Sequence, residues 1–292
     1  MARLCEDEST TECAAIMSTV TIIRSLLKND RENRCTDEGN FPMTMQVGLV
    51  GSNGIVIAGD ERNTHIPLLR PNQFWAAGTH GTNSSKMIVN YKRGIAVSAA
   101  RDLETAMHVA NEIATHLPED KFQDPASWIE ECADKILGIV RREHSDPTER
   151  IEAQCLIMTQ RPVPKLFQFW FGVVEGKWGP FCREMSRLAV AGDNVNAAIF
   201  WPEAYYNSSP YSKQRIPVKD LIPLAAHTVV QANRFNPLSI SGLEVVFCDE
   251  TGLHKLSRES IETLLKVAEE WDKQFGKTIF DHSQDFTFDP ES

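Results

Sequence analysis

The sequence predicts an α+β fold in which antiparallel sheets are covered by helices. Two observations carry this. Short apolar runs with strand-type patterning come in groups joined by tight turns, and stretches of helical periodicity come in pairs between those groups. Strand runs followed by helix runs, with hairpin links, build antiparallel sheets with helix layers rather than an alternating parallel sheet. The chain has 292 residues, 42% of them hydrophobic, which is enough to bury a substantial core. It holds no internal repeat and no low-complexity segment.

Residues 1–42 stand apart. They carry three of the seven cysteines, many charges and no sustained periodicity beyond a short apolar patch at 20–27. The core begins at Met43 or Thr44. Met45–Val50 and residues 54–59 read as strands, joined by Ser52-Asn53-Gly54, a turn signal because Asn and Gly tolerate positive φ. Residues 65–85 are polar and turn-rich and read as a loop. Residues 87–89 and 94–99 read as two more strands.

Two helices follow. Leu103, Ala106, Met107, Ala110, Ile113, Ala114 and Leu117 fall on one helical face, with Asp102 placed to cap it. Trp128, Ile129, Cys132, Ala133, Ile136, Leu137 and Val140 repeat the pattern as one helix after an Asp124-Pro125 start. Strands return at Ala153–Thr159, 166–174 and 188–191, where Phe167, Phe169, Trp170 and Phe171 read as sheet core. A helix starts near Asp193, another spans 218–232, a strand spans 243–248, and a last helix carries Ile261, Leu264, Leu265, Ala268 and Trp271. The acidic stretch 278–292 reads as a loose tail.

Composition excludes several classes. A net charge of −10 and a pI near 5.3 argue against a general nucleic-acid binder, which needs a basic face. No apolar run approaches the ~20 residues that span a bilayer, so no membrane association is expected. Glu6, Asp7 and Glu8 interrupt any secretory signal. The seven cysteines are scattered and odd in number, without a CxxC pair, which fits reduced thiols and a cytoplasmic protein. No Cys or His pattern has zinc spacing, and neither a metal nor an organic cofactor is expected.

The chemistry concentrates in residues 44–64, TMQVGLVGSNGIVIAGDERNT. An antiparallel hairpin brings the start of its first strand beside the end of its second. Thr44, Asp60 and Arg62 therefore meet although 16 and 18 residues separate the latter two from Thr44. A threonine hydroxyl needs a base before it attacks a carbonyl. No Ser-His-Asp arrangement and no GxSxG elbow is legible. The remaining base is the α-amine of Thr44 itself, once Thr44 is the first residue; a free α-amine has a pKa of about 7.7–8.0, and a nearby ammonium lowers it further.

This stretch resembles the opening hairpin of proteasome β-subunits and of the bacterial proteasome-like protease that works with an ATP-driven unfoldase, both N-terminal-nucleophile (Ntn) hydrolases. The matching elements are Thr44, Val47-Gly48, Ser52-Asn53-Gly54, residues 55–58, Asp60, Arg62 and Thr64, in register without a gap. Ser85-Lys86-Met87-Ile88 fits the family's next strand after a loop about ten residues longer than usual. Residues 188–193 and 236–245 take the places of two later family turns, so the resemblance spans 43 to 275.

The resemblance implies a four-layer αββα sandwich, two antiparallel sheets between helix layers, over residues 44–277. It implies a threonine-type peptidase. Thr44 would be nucleophile and base, Lys86 the ammonium, Asp60 its partner and Arg62 a brace. Asn236 and Ser239 would stand near the nucleophile, and the backbone N–H near Ser98 would be the oxyanion donor. Thr64 would pair with an extended peptide or unfolded-protein substrate, beside a side-chain pocket near Asn63, Ile88 and Ala96. Self-assembly into rings or helical stacks is implied, with an ATP-dependent unfoldase as a further partner.

The chain departs from the family pattern at three places. Asn236 stands where an acid is usual, Asp193 where a serine is common, and Met43 where self-cutting precursors have glycine. These features support an alternative, a non-catalytic assembly subunit; a second alternative is an amidase acting on a small-molecule amide. Met43-Thr44 also reads as an initiator methionine before a small residue, which would make residues 1–43 a leader, a propeptide or an upstream extension foreign to the mature chain.

Overall fold

The computed structural model describes residues 44–65, 80–143, 152–174, 177–192, 196–207, 216–237 and 240–281. Twelve strands and six α-helices alternate in groups along these residues. The first group is β1 (Met45–Val50), β2 (Ile55–Gly59), β3 (Arg62–His65), β4 (His80–Asn83), β5 (Met87–Asn90) and β6 (Ile95–Arg101). Helices α1 (Leu103–His116), α2 (Pro125–Glu131) and α3 (Ala133–Glu143) come next. Strands β7 (Ala153–Thr159), β8 (Lys165–Val174), β9 (Lys177–Met185) and β10 (Leu188–Gly192) follow. Then come α4 (Asn196–Pro202), α5 (Val218–Phe235), β11 (Glu244–Asp249), β12 (Gly252–Lys255) and α6 (Arg258–Asp281).

The strands form two five-stranded antiparallel sheets, ordered β10-β1-β2-β11-β12 and β5-β6-β7-β8-β9, and a two-stranded ribbon β3-β4. Period-two alternation sorts side chains between faces. Met45, Val47, Leu49, Val56 and Ala58 of the first sheet pack with Leu221, Ala225 and Val229 of α5. Ile95, Val97 and Ala99 of the second pack with Val109 and Ile113 of α1 and with Phe167, Phe169 and Phe171. A third cluster draws from both sheets: Ile55 and Ile57 from one, Ala96, Leu156, Met158 and Leu166 from the other.

Five elements differ from the sequence reading, one of them β12, an unforeseen four-residue strand that completes a tight hairpin with β11. The stretch after Asp124 is two helices broken at Cys132; Ile129 and Ile136 stay in one buried cluster because seven residues are two helical turns, so the break leaves the phase intact. Strand β9 was not foreseen because it contains Gly179 and Pro180, but it lies at a sheet edge, where Pro is tolerated. Residues 62–65 and 80–83 form the β3-β4 ribbon instead of loop alone. Helix α6 runs to Asp281, past the Thr278 tail boundary. The leader at 1–43 and the chain from 282 onward lie outside the described residues.

The turn residues act differently from their φ-based reading. Gly54 is needed because a Cβ there would lie 1.9 Å from the Cys248 carbonyl oxygen on β11. Asn53 accepts a hydrogen bond from Val218 N (2.9 Å) through its side-chain oxygen, so the hairpin turn caps α5. No helix among the described residues is long and apolar enough to cross a membrane.

Candidate functional site

The site forms where β1 begins, β2 ends and β5 begins. Asp60 N donates to Met45 O (3.1 Å), and Met45 N donates to Asp60 Oδ1 (2.9 Å). This reciprocal pair extends the β1-β2 ladder by one step and fixes Thr44 just beyond it. On the other side of Thr44, Gly192 at the end of β10 has φ +99°, and a Cβ there would come within 1.9 Å of the Thr44 carbonyl oxygen. Only glycine fits that position.

Lys86 reaches into this corner from the start of β5. Its Nζ donates to Asp60 Oδ2 (2.8 Å) and to Thr44 Oγ1 (3.1 Å). All three are buried: Thr44 is 2% exposed, Lys86 1% and Asp60 0%. Burial pushes the Asp60 carboxyl up and the Lys86 ammonium down, and each partner's charge pulls the other back toward its ionised form. The ammonium beside Oγ1 favours ionisation of the hydroxyl. The proton must still go elsewhere, because both carboxylate oxygens of Asp60 are engaged and the Thr44 nitrogen is the amide that follows Met43 in this sequence.

Around this centre, Arg62 Nη1 donates to Pro237 O (3.1 Å), and Glu61 N donates to Ser241 O (3.0 Å). The loop after α5 is thereby tied to the end of the β1-β2 hairpin. Asn236 closes α5, its N–H donating to Ala232 O (3.0 Å). Ser98 lies opposite Met87 in the β5-β6 ladder, and its buried hydroxyl accepts from Leu156 N (3.2 Å). Asn63 and Thr64 lie on β3, whose edge toward β4 is occupied, Asn63 opposite Thr82 and Thr64 opposite Gly81. Ile88 and Ala96 do not share a wall. Ile88 packs toward the α1 cluster, whereas Ala96 joins the cluster drawn from both sheets, because they project from opposite faces. Ser239 and Asp193 lie outside the described residues.

Sequence reasoning missed a second polar cluster nearby. Glu244, opposite Gly59 in the ladder, is buried and accepts from Ser85 Oγ (2.6 Å) and from Lys255 Nζ. The signal was a carboxylate at the start of an otherwise apolar strand. Gln46, also buried, has neither amide atom hydrogen-bonded. Among the described residues no group of three or more His, Cys, Asp or Glu could hold a metal ion.

No family model and no curated protein matches this chain. Solved structures do. A subunit from the helical assembly of the Anbu complex of Pseudomonas aeruginosa aligns with a TM-score of 0.60 and 12% identity over 85% of this chain and 99% of that one. Anbu (ancestral beta-subunit) from Yersinia bercovieri aligns at 0.57 and 13%, over 84% of this chain and 100% of that one. An Anbu (Gly-1) mutant from Hyphomicrobium sp. strain MC1 aligns at 0.55 and 15%, over 84% and 99%. Identities this low establish likeness of fold alone. They correct the resemblance to proteasome β-subunits and the unfoldase-linked protease: the matching structures are Anbu proteins, which are proteasome-like but distinct.

Proposed function

We propose that this chain is a self-assembling subunit of the proteasome-like kind that the Anbu structures represent. The observation that carries this reading is the match to nearly the whole length of a subunit taken from a helical assembly. A four-layer arrangement, with α1–α3 over one sheet and α4–α6 over the other, belongs to the same proposal; the separate clusters under α1 and α5, with a third drawn from both sheets, support it. Sedimentation velocity and electron microscopy test the assembly. Particles of many subunits are expected, and a single 32.8 kDa species at micromolar protein would sink the idea.

A specific observation favours a second reading, hydrolysis of peptide or simple amide bonds by Thr44. It is the buried Thr44–Lys86–Asp60 contact. In this reading the freed α-amine takes the hydroxyl proton, Oγ1 attacks the carbonyl, and the proton passes to the leaving amine; water then releases the acyl group. The test uses two forms, the full chain and a chain released at Thr44 from a cleavable fusion, each given fluorogenic peptides and acyl-amides. Activity confined to the released form and lost in Thr44→Ala is expected. Inactivity of the released form toward both substrate classes leaves the assembly reading alone.

A further inference from the structure

We propose that Glu244 is a positioning residue of the Thr44 site: acting through Ser85, it holds Lys86 Nζ against Thr44 Oγ1. Lys86 and its two partners come from different sheets. Thr44 precedes β1 and Asp60 follows β2, both in the sheet β10-β1-β2-β11-β12, whereas Lys86 precedes β5, at the edge of the other sheet. No ladder runs from one five-stranded sheet to the other, so strand pairing alone does not set the distance from the ammonium to the hydroxyl.

Glu244 spans that gap. Its backbone pairs with Gly59, the last residue of β2 and the neighbour of Asp60. Its side chain accepts at 2.6 Å from the hydroxyl of Ser85, the residue before Lys86. A hydroxyl has one hydrogen, and the carboxylate at 2.6 Å takes it ahead of Met87 O at 3.0 Å. Ser85 Oγ then accepts from Met87 N (3.3 Å), which closes a side-chain turn with Lys86 at its centre. A turn of this kind restricts the backbone dihedrals of its middle residue, and with them the direction in which the Lys86 side chain leaves. Ser84 N donating to Glu61 O (2.9 Å) and Ala99 N donating to Lys86 O (2.9 Å) anchor the ends of the segment. Glu244 grips the hydroxyl between them.

The carboxylate is itself held in place. Glu244 is 2% exposed, and Lys255 Nζ donates to the same Oε1 that receives Ser85. Its other oxygen, Oε2, has no hydrogen-bond partner among the described residues. One oxygen therefore makes both bonds, and an amide oxygen at the same place can accept both. Glu244→Gln keeps the reach and loses the charge. Glu244→Asp keeps the charge and draws back by one carbon–carbon bond. A positioning role ranks Gln above Asp; a role for the negative charge ranks Asp above Gln.

Crystal structures of the full chain are compared for the unmutated protein, Glu244→Gln, Glu244→Asp and Ser85→Ala. Ser85 is exposed, so its replacement removes the bond without opening the core. Lys86 Nζ is expected within hydrogen-bond reach of Thr44 Oγ1 in the unmutated and Gln proteins, and beyond about 3.5 Å in the other two. The chain released at Thr44 gives a second readout. An adjacent ammonium lowers the α-amine pKa, so moving it away raises that pKa and carries the acid limb of peptide hydrolysis to higher pH. Glu244→Asp and Ser85→Ala should show this shift with a rate loss of at least about tenfold, and Glu244→Gln neither. Asp249→Asn, at the other end of β11, controls for lost stability and should leave the limb where it was. This second arm rests on the reading of Thr44 as a hydrolase nucleophile: an inactive unmutated released chain defeats that reading, while the structures still decide the placement of Lys86. Lys86 unmoved in both Glu244→Asp and Ser85→Ala, or held better by Asp than by Gln, overturns the proposal.

Discussion

Lys86 is among the largest fully buried side chains of the described residues, and its ammonium is compensated by one carboxylate and one hydroxyl. Removing one partner of such a pair leaves an uncompensated buried charge, whereas replacing both with apolar groups is often neutral. Lys86→Met alone should therefore cost about 3–5 kcal/mol, and adding Asp60→Leu should recover most of it in urea denaturation. A single-variant loss below about 1 kcal/mol would mean that water or a shifted proton already relieves the pair. Asp249 offers a cleaner pH effect. Hydrogen bonds from the Thr251 hydroxyl and N–H, with His254 beside them, lower its carboxyl from 3.8 to about 2. A depressed folded-state pKa gives stability that is present above the unfolded value and lost as pH falls through the folded one. Asp249→Asn should cost about 1–2 kcal/mol at pH 7 and almost nothing at pH 2, as read from thermal melts at the two pH values. At this scale the nearness of Thr44 and Asp60 was legible from hairpin geometry, whereas Lys86 was placed beside them only by the resemblance to proteasome β-subunits, since a lysine at a strand start does not itself say which hairpin it meets. The burial of Gln46 and Glu244 was not legible, since both faces of β1, β2 and β11 are covered and strand alternation alone does not tell a covered face from a solvent-exposed one.

Helix and strand interiors use glycine for opposite reasons. Gly138 lies inside α3 with nothing within 4 Å of where an added methyl would sit, so Gly138→Ala should stabilise by about 0.5–1 kcal/mol. Gly192→Ala combines a positive φ with a collision against the Thr44 carbonyl, so it should destabilise by more than about 2 kcal/mol and displace Thr44. Equal effects of the two substitutions in chemical denaturation would refute this steric account. Most elements were legible because the apolar spacing of α1 or β7 follows from which side chains must be buried. The misses have physical reasons too. Edge strands tolerate Pro, as at Pro180, and so lack the usual strand signature. A long-range cap such as Asn53 on α5 depends on a contact across 165 residues that no local pattern encodes.

At the scale of the whole molecule, local patterning foretold an α+β fold of antiparallel sheets and the β1-β2 hairpin, but not which distant strands meet. Strand β10 pairs with β1 although Gly192 lies 147 residues (192 − 45) beyond Met45, and only tertiary packing decides that. Charge acts at the same scale. Each subunit carries −10, and copies brought together repel over a Debye length of roughly 30 Å at 0.01 M salt but about 8 Å at 0.15 M. If the chain assembles as proposed, the attraction must come from short-range packing, whereas the opposing repulsion is long-ranged and screenable. Raising salt from about 0.01 M to about 0.15 M should then shift the sedimentation profile toward larger particles at fixed protein concentration. A shift toward smaller particles would mean that ion pairs between copies dominate the contact, and the assembly would have to be explained by complementary charge rather than by packing against net repulsion.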